Sequence, residues 1–459
     1  MKFGTDGVRG VAGVPPLDPA TISRLGAALV RLTEAAHPQA AAAAGVDQAA
    51  RDQSKPVSIA VGRDTRESGE WIEEALAKGV TAAGGRLTSF GIIPTPGVAY
   101  LTRTGPFDLG VVISASHNPF ADNGLKVFSG RGEKFGEAEE RAVEEIVADA
   151  SWTVADVKPV VEKSHLIDEY LAHTKQLLPS AGALKGARLA IDMGHGATTT
   201  TAPTLLRALG FELVEIGNAP DGRNINLMCG STHPQSLALA VVEKQCRLGV
   251  AFDGDGDRAI FVDHLGQVVN GDAVLLICGS RLKALNQLPG DTVVATVMSN
   301  LGLELAFKER GIRMVRTAVG DKYVMEEMLK NGYAIGGEQS GHVICAEHLF
   351  TGDGLATALL VLRAMIESGR ELSELAGDLT TYPQVLVNVK VKERKDVNAV
   401  PAVASAIDRV TKAMDGKGRL LIRYSGTEPL LRIMIEGEND ATIKAWADDI
   451  AAAVRAELT

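Results

Sequence analysis

Short runs rich in Val, Leu and Ile alternate along the chain with helical patterns, and several of them end directly in clusters of Gly, Asp or Ser. The runs that predict strands are residues 57–61, 109–113, 189–191, 248–252, 293–297 and 314–315. This alternation indicates α/β units, in which functional loops lie at the carboxyl ends of strands. We therefore predict an α/β fold and expect the chemistry in the loops after these runs.

The two ends of the chain have other patterns. A helical pattern covers residues 17–36, with Asp18 as its N-cap and Pro19 at its first position. Residues 35–55, which include the alanines around Ala40, predict a partly helical surface insertion without chemistry. After residue 382 the predicted order is strand 385–391, helix 397–414, strands 419–423 and 431–435, and helix 441–458. This order indicates a small C-terminal α+β domain.

A chain of 459 residues is long enough for about three or four domains. We place the boundaries near residues 160, 265 and 375. The predicted domains are therefore 1–160, 161–265, 266–375 and 376–459.

Charge and composition exclude several classes of protein. With 47 basic and 57 acidic residues the net charge is −10, which argues against a nucleic-acid or anionic-membrane partner. The N-terminus lacks the apolar stretch of a secretory signal, and no run reaches the roughly 18 apolar residues of a membrane span. The four cysteines are scattered and form no CxxC motif: Cys229, Cys246, Cys278 and Cys345. We expect reduced thiols in a cytoplasmic protein.

The segment Asp253-Gly254-Asp255-Gly256-Asp257-Arg258 follows the run 248–252. Alternate carboxylates with glycines between them can converge on one hard cation. An EF-hand is excluded, because Arg258 stands where that loop needs Gly and His264 where it needs Glu. An acidic solvent-exposed turn is the other interpretation, but three crowded carboxylates repel unless a cation neutralises them. We predict a metal site and favour Mg²⁺ over Ca²⁺.

A second segment, Ser114-Ala115-Ser116-His117-Asn118-Pro119, follows the run 109–113. A serine on such a loop is held by a rigid scaffold, as a nucleophile requires. Taken alone, the segment fits an Asn-Pro turn with capping serines better. Lys126, a few residues later, could supply positive charge or a proton.

Two further loops carry polar side chains between glycines. In Gly336-Gly337-Glu338-Gln339-Ser340-Gly341-His342, Glu338 and Ser340 suit sugar hydroxyls, and His342 is either a proton shuttle or a structural histidine. In Arg423-Tyr424-Ser425-Gly426-Thr427-Glu428-Pro429, the guanidinium, hydroxyls and backbone N–H groups suit phosphate, with a surface turn as the alternative. The basic loops 4–10 and 62–66 add local positive charge for an anionic ligand.

Together and in this order, the four loops resemble the α-D-phosphohexomutase superfamily over essentially the whole chain, from Gly4 to Arg432. Within the superfamily, the motif sequences most resemble the bacterial branch that acts on glucosamine phosphates. The segments that favour this branch are 3–10, 226–233, the Gln339 position and 425–429. The insertion around Ala40 departs from the family pattern, but it falls between a helix and a strand, away from these loops.

The resemblance implies three related mixed α/β domains plus a smaller C-terminal α+β domain around a central cleft. It also implies roles for individual residues. The catalytic set is Ser116, which carries the phosphoryl group, with Lys126, His342 and Arg9; the metal ligands are Ser116, Asp253, Asp255 and Asp257. The substrate-binding set is Glu338, Ser340, Arg258, Arg423, Ser425, Gly426 and Thr427.

The implied activity is an isomerisation by phosphoryl transfer between glucosamine 6-phosphate and glucosamine 1-phosphate, which supplies UDP-N-acetylglucosamine and cell-wall synthesis. It uses one Mg²⁺ per site and glucosamine 1,6-bisphosphate as the intermediate. One alternative is the same chemistry on mannose or glucose phosphate. A non-catalytic phosphosugar-binding regulator is another, against which Ser116, the aspartates and Arg423 argue. A homodimer and an activating kinase are left open as partners.

Overall fold

We describe residues 1–43, 55–425 and 429–459 from a computed structural model of the chain. The chain divides into two compact units, one formed by Met1–Thr296 and Val315–Ala376, the other by Val297–Met314 and Gly377–Thr459. The predictions for the alanine-rich insertion beyond residue 43, and for Gly426 and Thr427, lie outside the described residues. Within the described ranges, no helix has both the length and the apolar composition that a bilayer crossing requires.

The first sheet of the first unit has six strands in the order β1-β5-β4-β2-β3-β6. The strands are β1 (Val8–Val11), β2 (Ser58–Arg63), β3 (Arg86–Ile92), β4 (Leu109–Ile113), β5 (Asp122–Ser129) and β6 (Glu162–Lys163). The helices are α1 (Pro19–Ala43), α2 (Gly69–Ala82), α3 (Thr95–Thr104) and α4 (Glu137–Ala148). Strand β2 is parallel to β3 and β4, whereas β5 is antiparallel to β4 and β1. The loop that contains Ser116 directly follows the carboxyl end of β4.

Helix α1 begins as the sequence predicts. The carboxylate of Asp18 accepts hydrogen bonds from the backbone N–H groups of Ala20 and Thr21, both at 3.1 Å. Leu25 and Leu29, one helical turn apart, are fully buried in the core that covers this sheet. The apolar stripe thus fixes the helix against the sheet that carries the Ser116 loop.

The second sheet has five strands in the order β11-β10-β9-β7-β8. Its strands are β7 (Arg188–Asp192), β8 (Glu212–Ile216), β9 (Leu248–Phe252), β10 (Ala259–Asp263) and β11 (Val268–Val269); its helices are α5 (Ile167–Lys175), α6 (Ala202–Ala208) and α7 (Gln235–Glu243). Strand β7 is parallel to β8 and β9, and β10 is antiparallel to β9. The loop between β9 and β10 contains the three aspartates, so a buried, apolar strand holds the acidic segment at its end.

The third α/β region follows. Its elements, in chain order, are α8 (Gly271–Ala284), β12 (Thr292–Thr296), α9 (Leu301–Glu309), β13 (Arg313–Thr317), α10 (Asp321–Asn331), β14 (Ile335–Gly337), β15 (Val343–Cys345), α11 (Gly354–Ser368) and α12 (Leu372–Ala376). Helix α9 belongs to the second unit, and β13 begins there and ends in the first. Strand β14 is parallel to β12 and antiparallel to β15, and the loop between β14 and β15 carries Glu338 and His342.

The second unit is a three-stranded antiparallel sheet with two helices. The strands are β16 (Gln384–Lys390), β17 (Gly418–Tyr424) and β18 (Leu430–Gly437), in the order β16-β18-β17, and the helices are α13 (Pro401–Met414) and α14 (Asp440–Leu458). The segment 297–314 belongs to this unit, because the side-chain amide of Asn300 donates to the carbonyl of Tyr382 at 3.0 Å and to Glu436 Oε1 at 3.2 Å. Arg419 Nη1 also donates to the carbonyl of Ser299, at 2.8 Å.

The predicted α/β fold with a C-terminal α+β domain is confirmed, and each predicted strand run overlaps an observed strand; β4 and β9 have the predicted bounds. The predicted helix 397–414 begins later, at Pro401, because residues Val397–Ala399 form a 3₁₀ turn. In the part of the chain that the structure describes, nine strands were not predicted: β1, β3, β5, β6, β8, β10, β11, β14 and β15. Some of these, such as β14, have only two or three residues, and β3 contains Thr, Ser and Gly among its apolar residues.

Candidate active site

The loops that follow β4 and β9 meet in the first unit. The hydroxyl of Ser116 donates a hydrogen bond to Asp253 Oδ2 at 2.6 Å, although the two residues are 137 positions apart. Both side chains are almost fully buried. The structure thus brings the predicted nucleophile and the predicted metal loop into direct contact.

Ser116 itself has a left-handed backbone, with φ at 52°. Few residues other than Gly adopt this conformation, and it often occurs where a functional side chain is held in a strained position. Ser114 supports the turn from behind: its hydroxyl accepts the N–H of Ser116 at 2.9 Å and donates to Asp64 at 2.6 Å. Of the two serines, therefore, Ser116 is the one directed at the aspartates.

The carboxylates of Asp253, Asp255 and Asp257 each offer an oxygen, and these oxygens lie within 4.8 Å of one another. Burial, and then the charges of Asp257 and Asp255, raise the pKa of Asp253 well above its usual value. Gly254 and Gly256 make this crowding sterically feasible: Gly256 has φ at 71°, and a Cβ on Gly254 would lie 2.6 Å from the carbonyl oxygen of Ser116.

The aspartate loop fits a divalent cation. Within the described part of the chain, Asp255 Oδ1 and Asp257 Oδ1 are buried but make no hydrogen bond. Buried carboxylate oxygens that accept no hydrogen bond are costly unless a cation is near, and three hard oxygen ligands match the preference of Mg²⁺.

Lys126, on β5, enters the same cluster from the other side. Its ammonium group donates to Asp255 Oδ2 at 2.8 Å and to Asp257 Oδ2 at 3.0 Å, and it lies 3.2 Å from Asp6 Oδ2. Burial alone would lower the pKa of Lys126, but the three carboxylates raise it well above its ordinary value. The side chain is therefore a buried cation that offsets part of the charge of the aspartates.

Lys134 extends this cluster through alternating charges. It pairs with Asp6 Oδ1 at 2.6 Å and with Asp321 Oδ2, and its side chain is buried. Burial lowers its pKa, but the carboxylates of Asp321 and Asp6 outweigh that effect and raise it. One lysine thus holds an acid from the N-terminal loop and an acid from the start of α10.

The positive side of the site consists of Arg9 and Arg258, with the ring of His117 beside them. Arg9 pairs with Asp6 and lies 3.5 Å from the Asn118 side-chain oxygen, while Arg258 Nη1 lies 3.1 Å from His117 Nδ1. The two arginine side chains are 27% and 18% exposed, so they can still reach an anion. Burial, Arg258 and Arg9 together lower the pKa of His117 to about 4, so that its ring is neutral near pH 7.

His342 is buried between two acids. Its Nδ1 lies 3.6 Å from Asp257 Oδ1, its Nε2 lies 3.3 Å from Asp321 Oδ2, and the N–H of Gly352 donates to Nε2 at 3.0 Å. Burial lowers the pKa of His342, but Asp257 and Asp321 outweigh that effect and raise it. His342 therefore lies between the aspartate loop and Asp321, the residue that also pairs with Lys134.

Glu338 and Ser340 lie on the same loop as His342. The N–H of Glu338 donates to the His342 carbonyl at 2.8 Å, and the loop turns so that Ser340 Oγ lies 3.4 Å from Glu338 Oε2. Both side chains are partly exposed, and the N–H of Gly320 fixes the other carboxylate oxygen of Glu338 at 3.2 Å. A carboxylate and a hydroxyl are thus presented side by side.

The second unit carries the remaining predicted residues that the structure describes. Arg423 and Arg432 are directly paired across β17 and β18, and Arg432 Nη2 donates to the Ser425 hydroxyl at 3.3 Å. Burial and the neighbouring Arg432 lower the pKa of Arg423. Arg394, which the sequence did not single out, donates to the Ser425 carbonyl at 2.7 Å. Two guanidinium groups therefore contact Ser425, and Arg423 is paired with one of them across the strands, an arrangement that suits an anion.

Several residues of the site had no clear sequence signal. Asp6 and Arg66 lie in loops noted only for basic charge, and Lys134 and Asp321 belong to no recognisable motif. Thr95, whose hydroxyl donates to Asp255 Oδ2 at 2.5 Å, begins a helix that the sequence did not predict. Their roles arise from contacts between residues 50 or more positions apart, which local patterns do not encode.

The chain was also compared with known protein families and structures. The four domains of the phosphoglucomutase/phosphomannomutase family match the chain in order: domain I at residues 1–153, domain II at 168–266, domain III at 270–382 and the C-terminal domain at 386–453. Among solved structures, a phosphoglucomutase/phosphomannomutase family protein from Burkholderia thailandensis has a TM-score of 0.78 at 24% identity, covering 98% of this chain and 97% of that one. At this identity the similarity establishes the fold.

Full-length relatives are more similar in sequence. A phosphoglucosamine mutase of Solibacter usitatus is 51% identical over 459 residues, covering 99% of this chain and 98% of that protein. A phosphoglucosamine mutase of Geobacter sp. strain M21 is 44% identical over 463 residues, with 99% and 98% covered. The predicted resemblance is therefore confirmed, and the chain belongs to the phosphoglucomutase/phosphomannomutase family, among its phosphoglucosamine mutases.

Proposed function

We propose that this protein interconverts glucosamine 6-phosphate and glucosamine 1-phosphate through a phosphorylated Ser116 and a bound glucosamine 1,6-bisphosphate. The observation that carries the proposal is the 2.6 Å contact between the Ser116 hydroxyl and Asp253, inside a cluster of three buried carboxylates. The full-length similarity to phosphoglucosamine mutases supports the choice of hexosamine.

Asp253, Asp255 and Asp257 would hold one Mg²⁺, together with an oxygen of the phosphoryl group on Ser116. When bound there, the cation would offset negative charge on the phosphoryl group during its transfer. The two carboxylate oxygens without hydrogen bonds, one on Asp255 and one on Asp257, support this assignment.

In the forward half-reaction, O1 of glucosamine 6-phosphate attacks the phosphorus on Ser116. The new P–O1 bond forms as the P–Oγ bond breaks, and the proton of the O1 hydroxyl is passed to a base while Oγ recovers one. The product is the 1,6-bisphosphate. It turns end over end in the site, its 6-phosphoryl group returns to Ser116, and glucosamine 1-phosphate leaves.

Arg9 and Arg258 are proposed to flank the transferring group, since each retains an exposed fraction beside the Ser116 loop. Fixed positive charge in a partly buried site stabilises a phosphoryl group without the cost of reorienting solvent. Lys126 and His342 are proposed to move the proton, because both contact the aspartate loop.

Two sets of residues would recognise the substrate in this proposal. Glu338 and Ser340 would bind sugar hydroxyls, since they present a carboxylate and a hydroxyl together. Arg423 and Ser425, with Gly426 and Thr427, would bind the phosphate that is not being transferred. The pairing of Arg423 with Arg432 beside Ser425 supports an anion site there.

We further propose that the protein acts in the cytoplasm. All four cysteines are buried and none forms a disulfide, which suits a reducing compartment.

The proposal is tested by comparing kcat/KM for the 6-phosphates of glucosamine, glucose and mannose, with intact mass measured on the same preparation. We expect the highest kcat/KM for glucosamine 6-phosphate, one phosphoryl group on the active protein, and no turnover by Ser116→Ala. A strong preference for a neutral hexose would refute the hexosamine assignment. Full turnover by Ser116→Ala would refute the phosphoserine.

A further inference from the structure

The loop that carries Ser116 is held from behind through two of its backbone carbonyls. Arg66 Nη2 donates to the carbonyl of Ser116 at 3.0 Å and to that of Asn118 at 2.8 Å. The Arg66 side chain is fully buried and is itself fixed by Asp64 at 2.8 Å. Arg66 is thus one half of a clamp on these two carbonyls, and it comes from the same α/β region as Ser116.

The other half of the clamp comes from the second α/β region, whose sheet has the order β11-β10-β9-β7-β8. The side-chain amide of Asn226 donates to the same two carbonyls, at 2.9 Å to Ser116 and 3.1 Å to Asn118. Asn226 is buried, with an exposed fraction of 8%. Two carbonyl oxygens of the nucleophile loop thus each accept hydrogen bonds from two side chains, one in each region.

The position of Asn226 is fixed independently of the serine. Its backbone is left-handed, with φ at 58°, and its N–H donates to the carbonyl of Gly194 at 2.8 Å. It lies beside the aspartate loop, because a Cβ added to Gly254 would come within 2.9 Å of the Asn226 amide nitrogen. Asn226 therefore contacts both the Ser116 loop and the turn that carries the aspartates.

We propose that Asn226 is a positioning residue for phosphoryl transfer, holding the left-handed Ser116 turn so that Oγ is directed at the Asp253–Asp257 loop. This proposal rests on the proposed function of Ser116. The amide acts through its N–H donors, which anchor the two carbonyls to the second α/β region, whereas Arg66 anchors them to the first. Small errors in the placement of a reacting atom cost large factors in rate.

Two substitutions separate the donors from the backbone conformation. Asn226→Asp has nearly the same shape and tolerates a positive φ, but it offers the two carbonyls a carboxylate in place of an N–H donor. Asn226→Gly keeps the left-handed backbone and removes the side chain. The matched control is Asn286→Asp, since Asn286 is also left-handed, with φ at 57°, but exposed after α8.

The experiment measures kcat and KM with glucosamine 1-phosphate on the full-length protein, and hydrogen–deuterium exchange of peptides covering residues 111–122. We expect both Asn226 variants to lose about 100-fold in kcat with little change in KM. The 111–122 peptides should exchange faster while the rest of the chain keeps its protection. Asn286→Asp should match the wild type in all readouts.

Wild-type kcat and wild-type exchange in the Asn226 variants would overturn the proposal. Faster exchange across the whole chain, with kcat and KM altered together, would also overturn it, because that is the pattern of a merely structural residue. If Asn226→Asp does not fold, Asn226→Gly decides between these outcomes. If the wild type fails to convert glucosamine phosphates, the proposed function fails, while the exchange of the 111–122 peptides still tests the clamp.

Discussion

Gly254 lies so close to Ser116 that a methyl group on Gly254 would come within 2.6 Å of the Ser116 carbonyl oxygen. This is closer than any real contact of a Cβ, and the obstacle is backbone, which cannot rotate away. The aspartate loop therefore reaches the nucleophile loop only because this position has no side chain.

Replacing Gly254 by Ala should separate the two loops. We expect a loss of about 100-fold in kcat for glucosamine phosphates, because Ser116 Oγ and the aspartates would no longer be aligned. Steady-state kinetics measures this effect, with Gly136→Ala as the control. At Gly136 the nearest atom to a new Cβ is the end of the flexible Glu139 side chain, at 2.9 Å. Equal losses in both variants would contradict the argument.

Asp255→Asn should remove metal binding while preserving the fold, because the amide has nearly the same volume as the carboxylate. We expect Mg²⁺-dependent turnover to fall by about 100-fold or more, and the heat of Mg²⁺ binding to disappear in calorimetric titration. Asp263→Asn is the matched control: Asp263 is buried on β10, but its carboxylate accepts backbone N–H groups of Leu265 and Gln267, each at 2.9 Å. Undiminished Mg²⁺ binding by Asp255→Asn would exclude the metal role.

Lys134→Met should lower stability. Removing the lysine leaves the carboxylates of Asp6 and Asp321 without the cation between them, at a cost of about 3 kcal/mol for a buried pair. We expect the midpoint of thermal unfolding to fall by several degrees, measured by calorimetry. The control, Lys2→Met, removes a lysine that is 85% exposed and should leave the midpoint nearly unchanged. Similar midpoints for the two variants would contradict the buried role of Lys134.

The thiols should be unreactive in the native protein. Burial raises the pKa of Cys229 and of Cys278 to about 12, so both stay in the unreactive thiol form near pH 8, where an unfolded cysteine is partly ionised. A disulfide reagent should therefore titrate almost no thiol in the native protein and four in concentrated guanidinium chloride. Rapid reaction of the native protein near pH 8 would show that one of the four is accessible.

The sequence was most informative at the ends of strands that are followed directly by a cluster of reactive side chains. The runs before Ser116 and Asp253 are apolar enough to predict β4 and β9 with their observed bounds, and the clusters that follow them do meet. Spacing alone could not distinguish Ser116 from Ser114. The structure separates them, because Ser114 supports the turn while Ser116 faces Asp253.

Other parts of the site were not predictable from local patterns. Lys134 pairs with Asp6, 128 positions before it, and with Asp321, 187 positions after it, and nothing near these residues indicates either pairing. For His342 the sequence left a proton shuttle and a structural histidine open. The structure shows that both ring nitrogens face partners, Asp257 on one side and Gly352 with Asp321 on the other.

The second unit is built from two separate stretches of chain, since Asn300 is hydrogen-bonded to Tyr382 and Glu436. A gene fusion that exchanged residues 377–459 for those of a relative would therefore transplant only part of a folding module. The recipient would keep its own Asn300 and Ser299, now facing foreign side chains. A working chimera has to carry both stretches across together, which ties the inheritance of the C-terminal sheet to a piece of sequence some 60 residues upstream.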